Sequence, residues 1–184
     1  MKTEILNKAK KVRLLGIDVD GVMTDGSIIY SVGATGRSPI QETKRFYVRD
    51  GAGIYFARRA GIIIAFITVR GSKLLKRRAE ELEVTELHQD TNRKWNCIQS
   101  LIQKYKLKKE EVGYIGDDVV DVPVLKRVGF PVAVGDAVEE VKKVSLYVTL
   151  NPGGRGAVRE VVELILKAKG EWEEVLKKYY QEIE

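Results

Sequence analysis

Asp18 and Asp20 stand two residues apart, followed by Gly21, directly behind an apolar run at 12–18 that reads as a buried strand. In open α/β sheets ligands bind beyond the carboxyl ends of the strands, and this pair occupies such an end. Two carboxylates on one turn offer a nucleophile and a proton donor; a metal can hold the first ionised while exposed backbone N–H groups meet a phosphate. Thr68 and Arg70 close a second apolar run, 62–67, and place a hydroxyl and a guanidinium at the same edge. Gly116, Asp117 and Asp118, with Asp121 close behind, end a further run at 112–116. Carboxylates that repel one another call for a cation, and hard oxygen ligands with few imidazoles point to magnesium. Taken singly, Asp118 or Asp121 reads equally well as a helix N-cap. Lys94, on the helical stretch before the 112–116 run, completes the order Asp, Thr, Lys, paired Asp; a lone lysine in a chain this basic is more often simply solvated.

These groups need a scaffold that brings strand ends together. Short β-branched runs at 12–18, 62–67, 84–87, 112–116 and 131–134, with 146–149 as a sixth, alternate with helical stretches at about 52–60, 72–82, 91–105, 119–128 and 137–143, then a helix from about 155. That alternation is the signature of a parallel sheet with crossover helices, a three-layer α/β fold. One segment interrupts it. Extended runs at 27–32 and 40–48, joined by the turn-rich stretch 33–39, read as a β-hairpin, too small for a second domain but large enough for a flap over a site. The chain is therefore read as one domain over 1–184, with a hairpin insert at about 27–48 and a helical tail at about 170–184. In that tail Trp172, Val175, Leu176 and Tyr179 share one helix face.

Composition narrows the chemistry further. The chain has 184 residues, 44% hydrophobic and 32% charged, with a single cysteine and a single histidine. Cys97 alone makes no internal disulfide or cysteine-based zinc site, and His88 alone excludes any mechanism that needs two histidines; both read as structural. The net charge of +6 is scattered over pairs and triplets such as Arg58-Arg59, Lys76-Arg77-Arg78 and Lys108-Lys109, without the interleaved aromatics of a base-stacking platform. It reads as solvated helix faces or as a field for a small anionic substrate, with no nucleic acid as partner. No apolar stretch approaches the roughly 20 residues that span a bilayer, and no export signal is evident, so the expected setting is cytoplasmic, away from membranes.

The ordered set Asp18-Val19-Asp20-Gly21-Val22, Thr68, Lys94 and Gly116-Asp117-Asp118-Val119-Val120-Asp121 resembles the haloacid dehalogenase superfamily of phosphotransferases. Together with Val48-Arg49-Asp50-Gly51 and Asn151-Pro152-Gly153-Gly154-Arg155-Gly156-Ala157-Val158-Arg159-Glu160, it looks like the family of 3-deoxy-D-manno-octulosonate 8-phosphate phosphatases over about residues 12–166. The resemblance implies a Rossmann-like parallel sheet with a small hairpin flap in place of a cap domain, and a two-step hydrolysis in lipopolysaccharide precursor synthesis. Asp18 would form an aspartyl phosphate. Asp20 would protonate the leaving sugar oxygen and then activate water. Asp18, Asp117 and the backbone carbonyl of Asp20 would hold Mg2+, while Thr68 and Lys94 would bind the transferred phosphoryl group. Asp118 and Asp121 would orient water and Lys94. Arg49, Asp50 and Gly51, with Arg70 and Arg78, would face the sugar acid, and the 153–156 turn would lie near a subunit boundary in a homotetramer whose neighbour helps close the site. The chain departs from the pattern at Val69, where the family has Gly in the phosphate loop, at Tyr55, where a basic residue is frequent, and in extra residues at 33–39. A phosphatase of nine-carbon sialic acid-type 9-phosphates and a catalytically inactive oligomeric interaction module are the alternatives.

Overall fold

The computed structural model describes residues 2–32 and 40–183; the hairpin tip, 33–39, lies outside them. A first helix, α1 (Lys2–Ala9), leads into β1 (Leu14–Ile17), and the hairpin strands β2 (Ile29–Ser31) and β3 (Gln41–Thr43) follow. Then come α2 (Val48–Arg59), β4 (Ile63–Ile67), α3 (Lys73–Glu81), β5 (Glu86–His88), α4 (Lys94–Lys104) and β6 (Val112–Gly116). The chain finishes with α5 (Val122–Leu125), β7 (Phe130–Ala133), α6 (Glu139–Val144), β8 (Tyr147–Val148), α7 (Ala157–Lys169) and α8 (Trp172–Ile183).

Six strands form one parallel sheet in the order β5-β4-β1-β6-β7-β8, and β2 and β3 pair antiparallel by themselves. Every residue of β1 and β6 is buried, as a strand covered by helices on both faces must be. Register then aligns the strand ends. Ile17 lies beside Phe66 of β4 and Ile115 of β6, so the residues just beyond these three strands emerge together at the centre of one sheet edge. The expected three-layer α/β architecture is what the chain adopts.

Some boundaries move. Helix α2 starts at Val48, not at about 52, and absorbs the Val48-Arg49-Asp50-Gly51 segment into its first turns, which also shortens the second hairpin run. Two glycines inside this helix disguise it in the sequence, and packing explains one of them. A Cβ on Gly53 would meet Arg159 Cα of α7 at 3.0 Å, so glycine there permits the close approach of α2 to α7. The stretch at 119–128 is a 3-10 turn at Val119–Asp121 followed by the single turn of α5.

The tail is one amphipathic helix. Trp172 and Val175 are buried, and Tyr179 stacks edge-on against Phe56 and Tyr55 of α2, at 5.4 and 5.8 Å between ring centres. Tyr55 also approaches Glu182 through its hydroxyl. Its aromatic ring thus belongs to the seam between α2 and α8.

Candidate active site

Asp18 follows β1, and its carboxylate is nearly buried, with 7% of the side chain exposed. Its Oδ1 accepts the Val19 amide at 2.7 Å and lies 2.8 Å from Lys94 Nζ. Lys94 opens α4 and is 1% exposed; the same ammonium group donates to Asp121 Oδ1 at 2.8 Å. Tyr114, fully buried on β6, donates its hydroxyl to that oxygen at 2.8 Å. Burial works against the charge on Lys94, but the two carboxylates beside it prevail and hold its pKa above the ordinary value. Burial, then the nearby Asp121 charge, pushes Asp18 well above the usual carboxylate range, opposed by Lys94.

Asp117 follows β6. Burial, with Asp121 next in weight, raises its carboxyl to about 6. Carboxylate oxygens of Asp18, Asp117 and Asp121 lie within 4.8 Å of one another, a spacing that suits a divalent cation. Hydrogen bonding separates the three. Asp121 has Oδ1 taken by Lys94 and Tyr114, and Oδ2 by the Asp117 amide at 3.1 Å, with the Asp118 amide at 3.5 Å. Asp117 Oδ1, by contrast, is buried without a partner among the described residues, as is Asp20 Oδ2. A buried carboxylate oxygen with no protein donor is one that an ion or a water ordinarily satisfies, so the donor set at Asp18 and Asp117 fits a hard cation while Asp121 is already committed to Lys94.

Thr68 follows β4 and is buried; its hydroxyl oxygen accepts the Arg70 amide at 3.2 Å, leaving its own proton free for a ligand. Val69 next to it takes no strained conformation, because positive φ among non-glycine described residues is confined to Glu83, Asp90 and Lys106. The structure therefore brings Asp18, Asp20, Thr68, Lys94, Asp117 and Asp121 to one sheet edge.

The remaining expected residues take other positions. Asp118 is exposed and caps the following turn, accepting the Val119 amide at 2.7 Å; only Asp121 reaches Lys94. Asp50 is fully buried and turned away from any solvent-filled space: its two oxygens accept the amides of Gly156 at 3.1 Å and Arg159 at 2.9 Å. It caps α7, whose first residue follows Gly156, a position with φ of 108° that favours glycine. Gly51 is buried beneath the Arg78 guanidinium and Leu82, so it offers no face to a ligand. Arg78 itself lies over the Phe46 ring at 5.7 Å and pairs with Glu81 at 3.4 Å. Arg49 is exposed and lines a cleft of about 500 Å³ with Tyr47, Asn151, Arg155 and Arg159. Arg70, two residues beyond Thr68, reaches the flap, where its Nη2 donates to Tyr30 and Glu42.

A family model described as haloacid dehalogenase-like hydrolase matches residues 53–161. The chain belongs to that family. Among this family's members it is 42% identical, over 95% of its own length and 89% of the relative's, to 3-deoxy-D-manno-octulosonate 8-phosphate phosphatase KdsC of Escherichia coli (strain K12). It is similar to the crystal structure of the Moraxella catarrhalis 3-deoxy-D-manno-octulosonate 8-phosphate phosphatase in complex with magnesium ion, phosphate ion and KDO, with a TM-score of 0.90 and 39% identity, covering 97% of this chain and 99% of that one. The cobalt-bound deoxy-D-mannose-octulosonate 8-phosphate phosphatase (YrbI) of Haemophilus influenzae aligns with a TM-score of 0.81 and 36% identity, over 89% of this chain and 92% of that one.

Within this haloacid dehalogenase-like frame, two flap residues escaped the sequence reading. Lys44, with 4% of its side chain exposed, forms an ion pair with Asp20. Glu42 faces Arg70 and Ser72. The signal that could have found Glu42 is the period of two in a strand, which turns it to the opposite face from exposed Gln41 and Thr43. Among the described residues no helix is long and apolar enough to cross a membrane.

Proposed function

We propose that this chain is a magnesium-dependent phosphatase that hydrolyses 3-deoxy-D-manno-octulosonate 8-phosphate to the free sugar acid and phosphate, in the cytoplasm, as a step of lipopolysaccharide precursor synthesis. One observation carries the reading. A nearly buried carboxylate, Asp18, is held by a buried cation, Lys94, beside a second carboxylate, Asp117, whose Oδ1 has no partner among the described residues. The sugar acid is inferred from the high identity to the KdsC phosphatase over almost the whole chain.

Mg2+ bound by Asp18, Asp117 and the backbone carbonyl of Asp20 would offset the repulsion between a carboxylate and a phosphate dianion. The remaining chemistry belongs to the chain. Asp18 attacks phosphorus with the carboxylate oxygen; the bond between phosphorus and the sugar oxygen breaks, and Asp20 gives that oxygen a proton. Water then attacks the aspartyl phosphate, Asp20 takes its proton, and Asp18 is regenerated as phosphate leaves. Thr68 and Lys94 hold the transferred phosphoryl oxygens, and Asp121 with Tyr114 keeps the Lys94 ammonium group aimed at them. Arg70, and Arg49 on the neighbouring cleft, supply positive charge for the sugar acid.

The chain is proposed to work as a homotetramer. Ile28, Ile29, Tyr30, Val32 and Ile40 of the flap are all about half exposed or more, which suits burial by a second copy that also shields the site from water. A sedimentation mass of one 20.7 kDa chain would refute the assembly. Phosphate release from a panel of sugar acid phosphates of eight and nine carbons, with and without Mg2+, tests the function. The eight-carbon substrate should lead, and Asp18→Asn should abolish turnover; retained activity in that variant removes Asp18 as nucleophile, and absence of any Mg2+-dependent release from wild type leaves only an interaction module.

A further inference from the structure

Glu42 reaches from the flap to Arg70 and Ser72 beyond β4, and the two hydrolytic steps make no use of it. It is the middle residue of β3, with 24% of its side chain exposed, between Gln41 and Thr43, which face solvent. One carboxylate oxygen accepts from Arg70 Nη2 at 3.3 Å and the other from the Ser72 hydroxyl at 3.0 Å. Tyr30, the residue paired with Glu42 across the hairpin, meets the same Arg70 nitrogen through its hydroxyl oxygen at 3.2 Å. A cross-strand pair thus grips one arm of the guanidinium. The other arm, Nη1, is buried and has no acceptor among the described residues.

A guanidinium recognises a carboxylate through a planar fork, so what matters is the orientation of that plane. Left to itself, a long arginine side chain samples many rotamers. Two acceptors on Nη2 remove that freedom, and the negative charge of Glu42 repels a second carboxylate from its own side. The Arg70 side chain keeps 36% of its surface exposed, and that exposed part is what a ligand carboxylate can reach.

We propose that Glu42 is a positioning residue that fixes the Arg70 guanidinium towards the carboxylate of the sugar acid phosphate, and that it thereby sets the preference for carboxylated over neutral phosphate esters. This rests on the sugar acid phosphatase reading above. The strand that carries Glu42 also leads into Lys44, the partner of Asp20, so one short segment holds both Arg70 and the proton-transfer residue.

The test is a comparison of kcat and KM in the Mg2+-loaded enzyme for 3-deoxy-D-manno-octulosonate 8-phosphate and for p-nitrophenyl phosphate, in wild type, Glu42→Ala, Glu42→Gln, Arg70→Ala and the double variant Glu42→Ala/Arg70→Ala. In Glu42→Ala, KM for the sugar acid phosphate should rise about tenfold with a smaller change in kcat. The selectivity ratio should fall by the same factor, about 1.4 kcal/mol. Glu42→Gln, which keeps an acceptor for Arg70, should lose less. The double variant should be no less selective than Arg70→Ala, because the two residues act as one unit. Equal losses on both substrates in Glu42→Ala, or additive losses in the double variant, overturn the inference while leaving the phosphatase reading intact. A wild-type enzyme with no preference for the carboxylated ester overturns both.

Discussion

Removing the Asp50 carboxylate should unfold the protein more readily without removing a substrate contact. Asp50 is fully buried, and each of its oxygens accepts one backbone amide at the start of α7, Gly156 at 3.1 Å and Arg159 at 2.9 Å. Burial raises its pKa while those same amides, Arg159 first, pull it back. Asp50→Ala leaves two helix N-terminal donors facing a methyl group where water has no access. A hydrogen bond to a charged acceptor contributes roughly 1.5–3 kcal/mol, so the pair amounts to about 3–6 kcal/mol. In a domain of this size each kcal/mol moves Tm by about 2–4 °C, and a fall on the order of 10–20 °C is expected. Asp50→Asn keeps one acceptor but turns an amide donor towards the other N–H, so it should lose at least half as much. Thermal and urea unfolding of both variants, paired with KM for the sugar acid phosphate well below the transition, separates the two roles open to this residue. An unchanged Tm with KM raised a hundredfold would mean that Asp50 meets the substrate, and the capping account would be wrong.

Two further outcomes are set by the charges at the sheet edge. Asp117 has its carboxyl raised to about 6 in the metal-free protein, by burial and then by Asp121. Between the ordinary value of 3.8 and about 6 the native state holds more protons than the unfolded chain, so metal-free stability falls as pH rises through that window. Mg2+ needs the deprotonated form, so the rise in Tm on adding Mg2+ should be small at pH 5 and larger at pH 7.5; equal shifts at the two pH values would refute the assignment of Asp117 as a ligand. Lys94→Met strips the shared cation from Asp18 and Asp121, both 2.8 Å away. Breaking a buried pair from one side costs about 3–5 kcal/mol, and loss of a phosphoryl donor should lower kcat by about 10²–10³; calorimetry and steady-state turnover should both register the change, and wild-type turnover in this variant would leave Thr68 as the main phosphoryl contact.

The division between what the sequence reveals and what it conceals has a physical basis. Strands buried on both faces must be continuous apolar runs, so β1, β4 and β6 are readable, and a parallel sheet obliges their carboxyl ends to meet. Asp18, Thr68 and Asp117 are therefore placed by topology alone. The path of the chain beyond each strand end depends on local backbone geometry that spacing does not encode. Asp118 and Asp121 are both acidic and both close to the start of a short turn, yet one accepts the Val119 amide at the surface and the other accepts from Lys94 and Tyr114 in the core. The same ambiguity affects Val48-Arg49-Asp50-Gly51. A helix whose N-cap, Tyr47, makes no side-chain bond, and which contains Gly51 and Gly53, lacks the usual start signal. Its first turn then reads as a loop displaying Asp50, when the carboxylate in fact faces α7, more than a hundred residues away along the chain.

Distance along the chain also hides Tyr55, Glu42 and Lys44. Tyr55 looks like a missing base until α8 is folded against α2, where Tyr179 and Glu182 account for it. Glu42 and Lys44 look like ordinary charges on an exposed flap strand, since sequence gives no hint that their partners are Arg70, Ser72 and Asp20. A motif therefore locates the groups that react, which sit at positions fixed by the sheet. The groups that aim them come from elements whose docking is set by tertiary contacts. For a flap this small, docked by polar contacts to Arg70, Ser72 and Asp20, single substitutions on β3 should change which phosphate ester is preferred more than they change the fold.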